Sequence, residues 1–489
     1  MENAEMVTIT KAEYEHLLGL KSQVGYLQHQ LTELKRLIFG AKSERFVAQN
    51  PDQATLFDLP AEQPQEQVTE EITYTRSKPH PEKKQPLRLE LPSHLERREE
   101  VIEPDDIPAD AKKIGEAVTE VLEYEPASAY VRRIVRPKYI VEQNDESTNI
   151  VIAPLPALPI PKGNAGPSMI SHIMVSKFVD HQPFYRQVQI FKRQDLIIAE
   201  STIGGWFNGG CNLLHPLYDA LKAKILAGWY LMADETPIAV LTQDKPGATH
   251  KGYHWVYYDP VNRLVMFDYR KTRGKEGPDE LLKNYTGHLQ TDGYTAYSHL
   301  EKTNNITLLA CMAHARRKFE HAQENSPTLA AQALKMFQDL YDIERVAREE
   351  NLLAEAIKEL RQEKSKPVLD QMAVWMREQI TLVPPKSAIG MALAYTINLW
   401  PRLIRYIDDG RFQIDNNLIE NSIRPVALGR KNYLFAGSHE AAQQAAVIYS
   451  ILATCKLQGV EPFVYLTKIL SIIPDFPANQ LHTLLPGQK

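Results

Sequence analysis

Three acidic residues, widely separated along the chain, stand in contexts that suit a divalent metal site. One is Glu420, which lies in a polar run at residues 415–425 within a segment otherwise typical of a core helix. Asn416, Glu420 and Arg424 recur every four residues, so they are predicted to share one helix face. We expect Asp415 to be the N-cap. Such a face suits a metal ion and a phosphate; the alternative is a capped surface helix with an ordinary Glu420–Arg424 salt bridge.

Asp234 and Asp292 are the other two acids. Each follows a short strand-like run, which is apolar in the case of Asp234, and precedes turn residues. We therefore place both at the C-terminal ends of strands, where open α/β sheets commonly build their sites. Carboxylates suit Mg²⁺, and two such ions about 3.5–4 Å apart can hold the attacking and leaving oxygens of a phosphoryl displacement. The three acids predict a nucleotidyl transferase that uses two Mg²⁺ ions, with Mn²⁺ as a substitute.

Basic and amide side chains accompany the acids and suit a polyanionic substrate. Those predicted to contact DNA are His314, Arg316, Arg317, Lys318, Arg424, Arg430 and Lys431. Those predicted to support the site are Asn416, Asn417 and Asn421. The alternative for residues 316–318 is a solvated helix face. Cys311 and His314 have a metal-like spacing, but two ligands do not make a zinc site, so we interpret them as packing and polar support.

The composition of the chain is typical of a soluble globular protein. Its 489 residues are 43% hydrophobic and 24% charged, and the formal net charge of −5 does not by itself indicate nucleic acid. No apolar run approaches the ~18 residues of a membrane helix. The three cysteines, Cys211, Cys311 and Cys455, are too widely separated for a disulfide framework or a paired-cysteine zinc site. We expect a protein of the reducing cytoplasm, with zinc unlikely to be a cofactor.

The N-terminal part is predicted to consist of a coiled coil and a linker. Apolar residues from Leu17 to Ile38 alternate spacings of three and four, which is a heptad seam. We favour a coiled coil between protomers at residues 8–46 over an amphipathic helix docked on its own chain, because an isolated helix of this length is marginal in water. Residues 47–95 contain seven prolines and few apolar residues, so we expect a disordered linker.

Two modules are predicted between the linker and the first acid. Alternation at residues 117–124 and 129–141 indicates a small β module at 96–160, whose basic residues are either a solvated strand surface or a DNA contact. Residues 168–225 read as helices. They fit a helix-turn-helix DNA reader with a cap at Ser201. They also fit a helical connector that packs Trp206 into the core, which is the interpretation we favour.

Residues 226–440 alternate strands and helices around the acids. Strands are predicted at 229–233, 253–258, 264–269, 288–291 and 307–310, and helices at 278–284 and 312–320. The first three strands predict an antiparallel meander, and strand–helix units follow, which gives a mixed α/β sheet. A stretch at about 326–405, rich in Ala, Leu, Glu and Lys, reads as a helical insertion between the second and third acids. Residues 441–489 read as a C-terminal helical tail.

Several short motifs around the acids form the most specific pattern in the chain. They are Ala-Asp-Glu-Thr-Pro at 233–237, Thr-Asp-Gly-Tyr at 291–294, Cys-Met-Ala-His-Ala-Arg-Arg-Lys-Phe at 311–319, the polar run at 415–425, and Gly-Arg-Lys-Asn-Tyr at 429–433. Together they resemble the motifs of the DDE transposases of the insertion sequence 66 family. The leucine seam with residues 39–45, and the segment 177–187, are similar to that family's N-terminal zipper and to the segment ahead of its catalytic domain.

The resemblance implies an RNase H-like fold with a helical insertion, in which Asp234, Asp292 and Glu420 are a catalytic triad that binds magnesium. It implies cutting at transposon ends and joining of the freed 3′-hydroxyls to target DNA. The implied partners are terminal-repeat and target DNA, further copies of the chain, and accessory transposition proteins at the nucleoid. The family usually has a zinc module of paired cysteines, but residues 107–143 contain no cysteine. The alternatives are an RNase H-like nuclease that does not join strands and a non-catalytic DNA-binding scaffold.

Overall fold

The computed structural model describes residues 129–144, 147–161, 163–242, 247–303 and 306–488. The predicted coiled coil, the linker and the strand at 117–124 lie outside the described residues. The predicted strand at 129–141 is wrong over most of its length: residues 129–137 form no strand, and Tyr130 and Val131 are exposed instead of packed on a neighbour. A hairpin follows, in which β1 (Lys138–Asn144) pairs antiparallel with β2 (Ser147–Ile152).

Three helices precede the central sheet, in the stretch that was predicted to be helical. They are α1 (Pro167–Phe178), α2 (Phe184–Lys192) and α3 (Glu200–Leu226). The predicted cap at Ser201 is wrong, because Ser201 is the second residue of a 27-residue helix and the cap position is taken by Ala199. Trp206 is half-buried and packs against the hydrophobic core, which agrees with a helical connector.

The central sheet begins with the predicted antiparallel meander. Its strands are β3 (Tyr230–Leu241), β4 (Thr249–Asp259) and β5 (Leu264–Arg270), in the order β5–β4–β3. The predicted end of β3 at Ala233 is wrong, because β4 pairs with β3 from Met232 as far as Leu241. Pro237 is tolerated inside the strand because the described strands leave residues 233–238 without a second hydrogen-bonded neighbour.

The other half of the sheet is parallel. Its elements in chain order are α4 (Glu276–Leu281), β6 (His288–Thr291), α5 (Leu300–Thr303) and β7 (Thr307–Ala310). β6 pairs parallel with β3, and β7 pairs parallel with β6, so the full order is β5–β4–β3–β6–β7. The bounds of β6 and β7 are those predicted from the sequence. The mixed α/β sheet is thereby confirmed.

A helical region lies between β7 and the third acid. Helix α6 (Met312–Ala322) follows β7 directly. The helices after it are α7 (Pro327–Glu349), α8 (Ala354–Leu360), α9 (Lys366–Gln379) and α10 (Ala388–Leu403), with a π-helical turn at Arg361–Ser365. These four helices occupy the place of the predicted insertion.

One buried arginine fastens this helical region to the chain that leads to Glu420. Arg361 is 2% exposed and makes two bonds of 2.7 Å to the carboxylate of Glu344 on α7. Its remaining N–H groups donate to the backbone carbonyls of Tyr406, Asp409 and Phe412, at 2.8, 2.8 and 3.0 Å. The guanidinium therefore joins α7 to the segment 406–412.

The last elements carry the third acid and protect one edge of the sheet. Helix α11 (Asn417–Tyr433) bears Glu420, and β8 (Phe435–Ala436) pairs parallel with β3 at residues 239 and 240. Helix α12 (His439–Gln458) lies along β5, where the Ser450 hydroxyl accepts a hydrogen bond from the Phe267 amide at 2.8 Å. This bond gives a partner to a backbone N–H group of β5, which is an edge strand. Helix α13 (Pro462–Ile472) follows, and no helix within the described ranges is long and apolar enough to cross a membrane.

Candidate active site

The two aspartates lie at matching positions on neighbouring strands. The parallel pairing of β3 and β6 ends at Met232 and Gln290, and each aspartate comes two residues later. Because residues paired in a parallel ladder advance together, Asp234 and Asp292 lie at the same level of the sheet. Asp292 directly follows β6, as predicted. Asp234 lies inside β3 and not at its end, because β4 extends the strand beyond the point where β6 stops.

Asp234 is buried and lies within the electrostatic influence of the other two acids. Its pKa is raised to about 8, mainly by burial and also by the negative charges of Glu235, Asp292 and Glu420. The Glu235 amide opposes the rise by donating to Asp234 Oδ1 at 2.8 Å. A carboxyl group among other carboxylates resists ionisation because like charges repel. The three acids come from β3, the end of β6 and the first turn of α11, and the charges of Asp292 and Glu420 both act on Asp234.

Asp292 is held by groups on both sides of it. The Tyr294 amide donates to Asp292 Oδ1 at 2.8 Å, and the Tyr395 hydroxyl of α10 donates to the Asp292 carbonyl, also at 2.8 Å. Gly293 has φ +93°, and a Cβ there would lie 2.7 Å from Leu399 Cδ1, so the turn needs glycine for both conformation and space. The turn after β6 is thus fixed against α10, a helix of the insertion.

The start of α11 differs by one residue from the prediction. Asn416, not Asp415, occupies the cap position, although the Asp415 carboxylate still accepts the Asn417 amide at 3.0 Å. Asn416 precedes the helix and is 1% exposed, and its carbonyl accepts a hydrogen bond from the Glu420 amide at 3.1 Å, one helical turn later. The alternative interpretation, a surface salt bridge between Glu420 and Arg424, has no such pair among the ion pairs of the described residues.

A backbone junction joins α6 to the segment before α11. The Asn416 amide donates to Cys311 Sγ at 3.2 Å, and the Met312 amide donates to the Ile414 carbonyl at 3.0 Å. The Asn416 side-chain amide is buried, and neither its oxygen nor its nitrogen has a hydrogen-bond partner among the residues that the structure describes. Cys311 is a buried free thiol, and burial raises its pKa to about 12. The junction fixes the start of α6 beside the start of α11.

His314 lies at this junction, near two of the acids. Burial lowers its pKa, the negative charges of Asp292 and Glu420 oppose that change, and the cations Arg317 and Lys318 add to it. Its Nδ1 is buried without a partner in the described structure. Among the residues predicted to contact DNA, His314 is one whose pKa is affected by the charges of Asp292 and Glu420.

The other predicted DNA contacts differ in their exposure. The exposed side chains are Arg317, Lys318, Arg424 and Lys431, together with the supporting Asn417 and Asn421. Arg316 pairs with Glu320 at 3.2 Å on the same helix. Arg430 is half-buried and donates to the Pro237 carbonyl, which attaches α11 to β3. Arg430 therefore has a packing role in the protein itself.

The sequence analysis missed a group of side chains next to the aspartates. Arg273 Nε donates to Glu235 Oε1 at 2.7 Å, and the Arg273 guanidinium lies 4.1 Å from the centre of the Tyr294 ring. Burial raises the pKa of Glu235, and the hydrogen bond and charge of Arg273 oppose the rise. The adjacency of Glu235 to Asp234 was visible in the sequence. Arg273 was not distinguishable, because it lies among the basic residues Arg270, Lys271 and Lys275.

The acids fit a divalent cation in donor type. Within the described ranges, no three His, Cys, Asp or Glu side chains are grouped closely enough to hold one ion. Mg²⁺ commonly takes only one or two carboxylates and completes its shell with water and substrate phosphate, so pairs drawn from Asp234, Asp292 and Glu420 suffice. Carboxylate oxygens suit Mg²⁺ or Mn²⁺. The pKa of Asp234 is raised mainly by burial and in smaller part by neighbouring negative charges, and a bound cation would favour its ionised form.

Comparison with known proteins identifies relatives along the whole chain. Three protein-family models match the sequence. The family model described as "Transposase IS66 family" matches residues 162–444, that described as "Transposase C of IS166 homeodomain" matches 26–99, and that described as "IS66 C-terminal element" matches 450–486. Three similar proteins come from Sinorhizobium fredii (strain NBRC 101917 / NGR234), and each is named only as an uncharacterized protein. No solved structure matches the chain.

The similarity extends over nearly the full length of these relatives. The protein y4jD is 31% identical, with 96% of this chain and 94% of y4jD covered, and y4hP is 30% identical, with 94% and 88% covered. The mixed sheet flanked by helices is the architecture of an RNase H-like transposase domain. With a family model over more than half of its residues and relatives aligned almost end to end, the chain belongs to the IS66 transposase family.

Proposed function

We propose that the protein is a DNA transposase that cuts at transposon ends and joins the freed 3′-hydroxyls to target DNA by transesterification that depends on a divalent cation. Asp234, Asp292 and Glu420 are the proposed catalytic residues. The observation that supports this most concerns Asp234: burial raises its pKa, and the charges of Asp292 and Glu420, from segments far along the chain, raise it as well. Clusters of carboxylates that perturb one another's ionisation are typical of functional sites.

Each acid is presented by a different kind of support. Asp234 is carried by the central strand β3, Asp292 is fixed through Tyr294 and Tyr395, and Glu420 is carried by the first turn of α11. Bound divalent cations would neutralise charge and align the attacking and leaving oxygens of the phosphoryl group. The task of the protein is to keep the three carboxylates ionised and oriented toward one volume, for which rigid supports are needed.

The cationic side chains around the acids supply the proposed DNA contacts. Arg317 and Lys318 are exposed on α6, and Arg424 is exposed on α11, the two helices whose first turns meet beside the acids. Contacts to phosphates release counterions, so binding should weaken steeply with salt. Assembly through a coiled coil at residues 8–46, and accessory transposition proteins, remain part of the proposal.

A strand-transfer assay tests this function. Full-length protein with Mg²⁺ and DNA from the ends of the element should join labelled 3′-hydroxyl ends to a target plasmid. Asp234→Ala, Asp292→Ala and Glu420→Gln should each lower the rate by roughly a hundredfold or more, because each removes a proposed metal ligand. Glu440→Gln is the matched control, since Glu440 is likewise in the first turn of a helix but is exposed on α12.

The assay also separates the alternatives. An active Asp292→Ala enzyme would overturn the assignment of the acids. Cleavage without joined products would identify a nuclease of the same fold. DNA binding with neither cleavage nor joining, unaffected by Mg²⁺, would identify a scaffold.

A further inference from the structure

We propose that Arg273 is a positioning residue, which keeps the segments that bear Asp234 and Asp292 at a fixed spacing. The inference rests on the proposed function, because it concerns the geometry of the same acids. It adds three residues that act together, Glu235, Arg273 and Tyr294, which we call the clamp. The clamp joins β3 to the turn after β6 through side chains.

The strands β3 and β6 are not hydrogen-bonded to each other at the two aspartates. The β3–β6 ladder ends at Met232 and Gln290, two residues before the acids, and β8 pairs with β3 only from residue 239. In the described structure no strand bonds to β3 on that side between residues 233 and 238. The ladder brings the two strands together up to this point, but no backbone hydrogen bond between β3 and β6 holds the aspartates themselves, so side-chain contacts can contribute to their spacing.

Glu235 provides the attachment on β3. It follows Asp234 directly, so its side chain points to the opposite face of the strand. Its side chain is only 2% exposed, and a buried carboxylate without a counter-charge is strongly destabilising. Arg273 supplies that charge, with both Nε and Nη2 bonded to Glu235 Oε1. The loop that carries Arg273 is thereby attached to the backbone that carries Asp234.

Tyr294 provides the attachment on the other side. Its ring lies 4.1 Å from the Arg273 guanidinium, and its hydroxyl donates to the Arg273 carbonyl at 3.1 Å. The amide of the same residue donates to Asp292 Oδ1 at 2.8 Å. A continuous series of contacts thus runs from the residue beside Asp234, through Arg273 and Tyr294, to the carboxylate of Asp292.

The competing interpretation is that Arg273 contacts DNA. Its side chain is 46% exposed and lies close to the acids, as a phosphate ligand would. However, one face of the Arg273 guanidinium already packs on the Tyr294 ring, and two of its N–H groups already donate to Glu235. The clamp predicts that loss of Arg273 loosens the Asp292 turn and weakens cation binding, whereas a DNA contact predicts weaker DNA binding alone.

Two measurements on the full-length protein test the clamp. Hydrogen exchange of peptides covering residues 291–297 should become faster in Arg273→Ala, on the order of tenfold. Isothermal titration should show Mn²⁺ binding weakened by roughly tenfold or more, the usual effect of removing support from a metal ligand. Arg273→Lys should be intermediate, because lysine keeps the charge but loses the planar, bidentate geometry.

Arg411→Ala is a closely matched control. Arg411 is 49% exposed, pairs with Asp409 at 2.6 Å, and lies 4.2 Å from the ring centre of Trp229, which precedes the opposite end of β3. It should change neither measurement. If Arg273→Ala does not fold, Tyr294→Leu removes the ring and hydroxyl contacts while leaving the Glu235–Arg273 pair in place, and it should give the same two changes.

The outcomes separate the proposals. Unchanged exchange at 291–297 in Arg273→Ala overturns the clamp, and so does faster exchange with unchanged Mn²⁺ affinity. Weaker DNA binding with unchanged Mn²⁺ affinity assigns Arg273 to DNA. A wild-type protein that binds no Mn²⁺ contradicts the metal-dependent function, while the exchange rates still decide whether Arg273 holds the turn.

Discussion

At the scale of single residues, Asp234 links the site to the stability of the protein. Its pKa in the folded protein is about 8, raised mainly by burial, against an ordinary value of 3.8. Between these values the folded protein keeps a proton that the unfolded chain has released. The free energy of unfolding therefore falls as pH rises from about 4 to about 8, since the folded state binds more protons there.

Asp234→Asn tests this residue. The variant cannot acquire the buried charge, so at pH 8 and without metal it should be more stable than wild type by roughly 1–3 kcal/mol, with the difference shrinking toward pH 4. Denaturant unfolding across this pH range measures it. Adding Mn²⁺ should stabilise wild type more than the variant and reduce the gap. A stability difference that does not change with pH would contradict the raised pKa.

At the scale of elements, local patterns were sufficient for some strands and not for others. β6 and β7 have their predicted bounds because each is a short strand-like run with clear breaks on both sides. β3 was predicted too short because Thr236 and Pro237 resemble a turn, and only pairing with β4 shows that they continue the strand. The clamp was not predictable, since Arg273 and Glu235 are 38 residues apart and meet only in the folded chain.

Arg361 allows a test of how the insertion is attached. Arg361→Ala leaves the buried Glu344 carboxylate and three carbonyls without their donor, so we expect a loss of about 3–5 kcal/mol in the free energy of unfolding. Arg411→Ala is the control, because Arg411 bonds Asp409 in the same segment from an exposed position and should cost about 1 kcal/mol or less. Equal losses in the two variants would show that Arg361 is not a fastening point.

At the scale of the whole molecule, the site exists only because distant parts of the chain fold onto one sheet. The insertion separates Asp292 from Glu420 in sequence, yet its helix α10 holds the Asp292 carbonyl through Tyr395. The helices α6 and α11 meet through Cys311 and Asn416 beside the acids. The types of the proposed catalytic residues were readable from the sequence, whereas these supports depend on tertiary contacts that no local pattern records.

Locating a bound cation tests the central claim most directly. Crystals of the protein soaked in Mn²⁺ should show anomalous scattering at a position bonded to carboxylate oxygens of Asp234 and Asp292, with Glu420 bonded to that ion or to a second one beside it. The signal should vanish in Asp234→Ala. Mn²⁺ bound only elsewhere, or bound at the aspartates while Glu420 stays turned away even with DNA present, would contradict the account.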